Sequence, residues 1–254
     1  MLKLKILACK IFLRELYEVA AHSPHLCDIT LLRQGLHNEP EKLRRELQRA
    51  IDAVEAEDQP YDAICLAYGL CSNGVAGVRA RKTPLIVPRA HDCIALLLGS
   101  RSEYQRLFGQ LNGGIYWYSP GWIEQTLQPG KERFDIQYAD YLARFGEDNA
   151  QYLMELEQGW MREYHHAVFV DWPQFDNRAH MAYTQQCADY LGWQCHRAPG
   201  SDALLSRLVD GQWDEADFLT VPPGQAIVPT YREDIVCAQT DAPREFVRGM
   251  TLNH

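Results

Sequence analysis

The chain has no uninterrupted apolar run of the length that crosses a membrane, about 20 residues. Its opening, MLKLKILACKIFLREL, is broken by Lys3, Lys5, Lys10 and Arg14. It therefore lacks the continuous apolar segment and small-residue cleavage site of a signal peptide. The expectation is a cytoplasmic protein with no membrane partner. Basic runs interleaved with aromatics are also missing, and the net charge is −9. Such a chain must bring phosphates against its own field, so nucleic acid is not an expected partner. No Gly-Lys-Ser/Thr follows the glycine-rich stretch at 68–77, so that stretch is not a phosphate-binding loop. Short repeats and low-complexity tracts are absent too. What remains is ordinary globular composition, 46% hydrophobic and 23% charged over 254 residues. That is enough chain for one large domain or two small lobes.

The chain is not poor in cysteine. There are 8, at positions 9, 27, 65, 71, 93, 187, 195 and 237. In a large chain with no export signal they are expected as core residues, metal ligands or nucleophiles rather than disulfides.

Apolar runs and helical spacing alternate along the sequence. Residues 2–8 (LKLKILA) and 26–32 (LCDITLL) suit strands, with a helical pattern at 10–21 between them. Pro40 opens a helix, a position it tolerates well, and Leu43, Leu47, Ile51 and Val54 form its apolar stripe. The continuous runs 62–67 (DAICLA) and 84–87 (PLIV) suit parallel strands buried on both faces. A further strand is expected at 114–118 (GIYWY). Residues 134–164 read as helical, and strand–helix alternation resumes at 167–170 (AVFV), 193–197 and 217–221 (DFLTV). The expected fold is α/β, with layered, mainly parallel sheet in two Rossmann-like blocks. The blocks are 1–130, carrying the site, and 165–254, with a helical bridge at 131–164.

Ligands of parallel α/β sheets bind beyond the carboxyl ends of the strands. Three successive strand ends here carry a cysteine: Cys9, Cys71 within YGLCSNGVAG, and Cys93 within PRAHDC. If the three strands are neighbours, the thiols converge. Cys27, Cys65, Cys187, Cys195 and Cys237 read instead as core. Residues i and i+2 of an extended chain point the same way, so His91 and Cys93 form a possible ligand pair. Imidazole with thiolates is a usual zinc set, and three protein ligands leave a position open. His91 can equally bond the backbone, and Asp92 suits a helix N-cap. Gly69 and Gly74 either let backbone amides approach a cofactor or make a tight turn. Arg89 either holds a substrate carboxylate or bonds strand-end carbonyls. Glu15, just after Cys9, is an acid/base candidate. Tyr68, Trp122 and Gln225 are candidate walls of a substrate pocket.

The strings YGLCSNGVAG, PLIVPRAHDCIALLLGS, GIYWYSPGWIE and DFLTVPPGQAI resemble an uncharacterised family, domain of unknown function 1638. The resemblance spans most of the chain. It implies company with corrinoid methyltransferases in anaerobic bacteria and methanogens, and names no activity. His91-Asp92-Cys93 is also similar to the His-x-Cys zinc motif of thiol methyltransferases of the uroporphyrinogen-decarboxylase type. The resulting expectation is a metal-dependent enzyme acting on a small thiol or anion by thiol activation or methyl transfer, with a corrinoid protein as partner. Zinc is the expected metal. One alternative is a [4Fe–4S] cluster on three cysteines with an open iron, for sulfur removal or dehydration. The other is a non-enzymatic metal or corrinoid-partner protein.

Overall fold

The structure is a computed structural model, and it describes residues 1–58, 60–230 and 232–240. In chain order its elements are β1 (Lys3–Cys9), α1 (Leu13–His22), β2 (Leu26–Leu32), α2 (Pro40–Glu55), β3 (Ala63–Ala67), β4 (Leu85–Pro88), α3 (Cys93–Leu97), α4 (Arg101–Gln110) and β5 (Ile115–Tyr118). There follow α5 (Pro120–Gln125), α6 (Lys131–Phe145), α7 (Glu147–Glu157), β6 (His166–Asp171), α8 (Arg178–Leu191), β7 (Gln194–Pro199), α9 (Ala203–Val209), β8 (Phe218–Val221), β9 (Ala226–Pro229) and β10 (Val236–Gln239). No helix among the described residues is long and apolar enough to cross a membrane.

The chain divides into two compact units. The first joins Met1–Ser100 to the chain from Asp202 onward, and the second is Arg101–Ser201. These limits differ from the expected blocks 1–130, 131–164 and 165–254, whose last residues, 241–254, lie outside the described residues. β5 pairs in parallel with β6, in the second unit, and β8 pairs with β4, in the first. An apolar run specifies a strand locally, but it does not specify its neighbour. The partner depends on contacts far apart in sequence, and IYWY and FLTV carry no mark of which sheet they join.

The first unit is built on a five-stranded sheet in the order β2-β1-β3-β4-β8. β1 runs parallel to β2 and β3, and β3 parallel to β4, with Cys65 opposite Ile86. Only β8 runs antiparallel in this sheet. β3 (AICLA) is buried at every position, as a central strand covered on both faces must be. α9 lies against β3 and β4, and Cys65 Sγ sits 3.8 Å from the Leu208 carbonyl; Cys65 is thus core. α2 takes Pro40 at its first turn and buries Leu43, Leu47, Ile51 and Val54. Each such side chain contributes about 1.5–3 kcal/mol of burial, which outweighs any local propensity. Lys5 of β1 is buried, but its ammonium meets Asp28 of β2 at 3.0 Å. The Tyr61 hydroxyl also bonds Asp28, so the buried charge is compensated.

The second unit holds the parallel sheet β5-β6-β7. Its core gathers Tyr118, Ala167, Phe169, Cys187, Ala188 and Trp193. Asp171, at the end of β6, accepts from Asn177 Nδ2 at 2.7 Å and pairs with Arg197 of β7, which ties the ends of these two strands together.

Candidate functional site: a buried thiol cluster at three strand ends

Strand order decides the site. β1, β3 and β4 are adjacent and parallel, so their carboxyl ends leave the sheet along one edge. Cys9 is the last residue of β1 and is 6% exposed. The chain then turns into a short 3-10 segment, Lys10–Phe12, and the N–H groups of Lys10 and Ile11 point at the Cys9 sulfur.

After β3 the chain reads Tyr68-Gly69-Leu70-Cys71 and stays paired with the loop after β4. Leu70 N–H donates to Ala90 O at 2.8 Å, and Cys71 N–H to His91 O at 2.9 Å. Gly69 is required here, because a Cβ would come within 2.6 Å of the Asp92 backbone. The Asp92 side chain caps α3, accepting from Ile94 N–H at 2.9 Å and Ala95 N–H at 3.4 Å. The cap sets the start of α3 and places Cys93 as its first residue. Cys71 Sγ and Cys93 Sγ then stand 3.5 Å apart. All eight cysteines are without disulfides.

The electrostatics bring in the third thiol. Burial, and then Cys93, push the Cys9 thiol up to about 12, against the pull of the Ile11 and Lys10 amides. The hydrogen bond with Cys71, and then burial, push Cys93 well above the ordinary thiol range, while the Gly69 N–H acts the other way. Burial pushes the Tyr68 phenol up as well, and Cys9, Cys93 and Cys71 all add to it. Tyr68 therefore lies within electrostatic reach of all three sulfurs. Cys9 and Cys93, raised in this way, are neutral at pH 7 and poor nucleophiles. A bound cation is the usual means of ionising such thiols.

The backbone beside the cluster is strained. Cys71, Ser72 and Asn73 are consecutive non-glycine residues with φ of 48°, 55° and 64°. Each left-handed residue costs roughly 1–2 kcal/mol. The turn is held by Gly74 N–H on Cys71 O at 2.9 Å and by Arg44 on Asn73 O at 3.1 Å. Strain of this kind persists where the surroundings impose it, and it clusters at functional sites.

The structure brings Cys71 and Cys93 into contact, with Cys9 and Tyr68 within their electrostatic reach, and gives the other candidates surroundings of their own. His91 is exposed, in contrast to buried Cys93, because the chain enters a helix at Cys93 and the two-residue alternation of a strand stops at Asp92. The Arg89 guanidinium donates to the carbonyls of Glu215 (2.9 Å), Asp234 (2.8 Å) and Val236 (2.5 Å). It fastens the chain on both sides of β8, the strand-end carbonyl role that was the alternative to a substrate carboxylate. Glu15 is fully buried in α1, not on a solvated face. Gly69 and Gly74 are required by the chain's own packing, since a Cβ on Gly74 would meet Leu43 at 2.5 Å. Gln225 follows β8, whose antiparallel course puts Val221 opposite Leu85. Gln225 therefore lies past the amino end of β4, the edge opposite the thiols. Trp122 belongs to α5 in the second unit, since its strand β5 pairs with β6.

One residue escaped the sequence reading. His37 follows β2, the fourth parallel strand, in the turn Leu36–Asn38. Burial holds its imidazole below the ordinary value, opposed by the nearby Asp92 carboxylate. Applying the strand-end rule to histidine as well as to cysteine would have found it. Among the described residues, no three His, Cys, Asp or Glu side chains form a preassembled ion cage. The cluster is a touching pair, Cys71 and Cys93, with Cys9 within electrostatic reach of Cys93.

These features define a mainly parallel α/β protein with a thiol cluster at the carboxyl edge of its larger sheet. The chain belongs to the family of proteins of unknown function DUF1638, whose model matches residues 31–209. That span includes Tyr68, Cys71 and Cys93, while Cys9 precedes it. No curated protein and no solved structure matches the chain.

Proposed function

We propose that this protein is a metal-dependent enzyme whose ion is held by Cys9, Cys71 and Cys93, with one coordination position left for a small thiol or anion. The observation that carries this is the 3.5 Å separation of Cys71 Sγ and Cys93 Sγ. Two thiolates on one tetrahedral zinc, each about 2.3 Å from it, stand about 3.8 Å apart. The pair is therefore near ligand spacing already, and Cys9, at the end of the neighbouring strand and within electrostatic reach of Cys93, is the third sulfur of the proposed set. An ion there would act as a Lewis acid and ionise a bound thiol near neutral pH. The strand-end position supports an enzyme over a structural zinc protein, because the fold has ample core without a metal.

The spacing supports zinc without a contribution from the exposed His91. The second reading is a [4Fe–4S] cluster with an open iron. It draws on three cysteines from three loops and on the amides directed at Cys9 and Cys93, since hydrogen bonds to sulfur tune such clusters. Methyl transfer and a corrinoid partner rest on the family resemblance alone. The reduced thiols suit a cytoplasmic setting, and we read the two units as Rossmann-like lobes.

Elemental analysis of anaerobically purified protein tests the proposal. One zinc per chain and no colour support the first reading; a brown protein with visible absorption supports the second. Cys71→Ser and Cys93→Ser should each release the metal and leave the fold intact. Unchanged metal content in both variants, or no metal in the wild type, would falsify the site.

A further inference from the structure

Tyr68 is the residue directly after β3, and it is 2% exposed. Its hydroxyl is buried and has no hydrogen-bond partner among the described residues. It lies within electrostatic reach of Cys9, Cys93 and Cys71, yet none of these sulfurs accepts its proton. Buried tyrosine hydroxyls ordinarily find a partner, and an orphan one points to something that completes it. A thiolate on a metal is a hydrogen-bond acceptor, and the Tyr68 O–H is a buried donor with no acceptor in the protein.

We propose that the Tyr68 hydroxyl donates a hydrogen bond to the sulfur of a small thiolate bound at the open position of the Cys9–Cys71–Cys93 centre. This deepens the function proposed above and rests on it. The hydroxyl positions the ligand and stabilises its charge, and it is not itself a metal ligand. A dedicated donor favours an anionic ligand over neutral water or a thioether, and the class proposed is a free thiol that binds as its thiolate and gives its proton to solvent.

The test is Tyr68→Phe, which removes one oxygen and keeps the buried ring. Both proteins are loaded with cobalt, and 2-mercaptoethanol is titrated while the visible spectrum reports the added ligand. Cobalt content should match the wild type. The thermal midpoint without metal should be unchanged or higher, since the lost hydroxyl has no partner in the protein. Thiol affinity should fall about tenfold or more, as expected for a hydrogen bond to a charged acceptor. Equal thiol affinity with cobalt in place overturns the role of Tyr68 and leaves the metal site standing. Loss of cobalt, or a midpoint several degrees lower, also overturns it, because the hydroxyl would then serve the site or the fold and not the ligand. A wild type that takes up no metal removes the proposed function, and this inference with it.

Discussion

At the scale of single residues, the thiol pair depends on a glycine that touches neither sulfur with a side chain. Gly69 lets the loop after β3 lie against Asp92, whose backbone would be 2.6 Å from any Cβ. That contact is with backbone and cannot be relieved by a side-chain rotation. Gly69→Ala is expected to push the two loops apart, separate Cys71 from Cys93, and cost about 1–3 kcal/mol as overpacking does. Metal content should fall with it. Gly109→Ala is the control: nothing lies within 4 Å of its Cβ, and alanine in a helix should stabilise by about 0.5–1 kcal/mol. Thermal denaturation and metal analysis of both variants check this. A Gly69→Ala protein with wild-type midpoint and metal content would show that the loops do not need the close approach. The sequence marked Cys9, Cys71 and Cys93 because a strand end is a local feature. The pairing of His91 with Cys93 on one side of an extended chain does not hold, because α3 begins at Cys93 and leaves His91 exposed while Cys93 is buried. The Asp92 cap that sets this start is legible in the sequence, whereas the direction of the residue before it is not.

At the scale of elements, the start of β4 is set by the end of α2. The Glu55 carboxylate accepts from the backbone N–H groups of Arg81 (3.0 Å), Lys82 (2.7 Å) and Thr83 (3.0 Å). Burial pushes this carboxyl up, but those three amides and the Lys82 charge outweigh it and hold it below the ordinary carboxylate value. A group depressed in the folded state contributes stability that is complete above its unfolded pKa, about 4.3 for Glu. The contribution is lost as pH falls through the lower folded value. Glu55→Gln should therefore be less stable than the wild type at pH 7, with a gap that closes between about pH 5 and pH 3. Denaturant midpoints across that range measure it. A gap that stays constant with pH would mean the carboxylate charge is not what the three amides require. None of this was readable beforehand, because an exposed-looking Glu at a helix end has no sequence signal for amides 26 to 28 positions away. The helix and the strand themselves were legible, from the Leu43–Val54 stripe and the unbroken PLIV run.

At the scale of the whole molecule, the parallel α/β class was legible in the alternation of apolar runs with amphipathic helices, whereas the assignment of strands to sheets was not. The larger unit is discontinuous, and its completion by the chain from Asp202 onward has an energetic consequence. α9 buries Leu204, Leu205, Leu208 and Val209, each at most 3% exposed, against β3 and β4. At about 1.5–3 kcal/mol each, these four side chains contribute about 6–12 kcal/mol. A whole domain has only about 5–15 kcal/mol of net stability. β8 in addition pairs with the edge of β4 through four residue pairs, and without it that edge would be open. A fragment of residues 1–100 should therefore fail to fold, although it holds all three thiols. The second unit is a single stretch, with its own parallel sheet and its own core around Phe169 and Trp193. A fragment of residues 101–201 should melt cooperatively. Circular dichroism melts of the two fragments, with amide exchange on each, check the contrast. If 1–100 shows a cooperative transition and protected amides in β3, then α9 and β8 are not what closes the larger unit. The thiol site would then be independent of the returning chain.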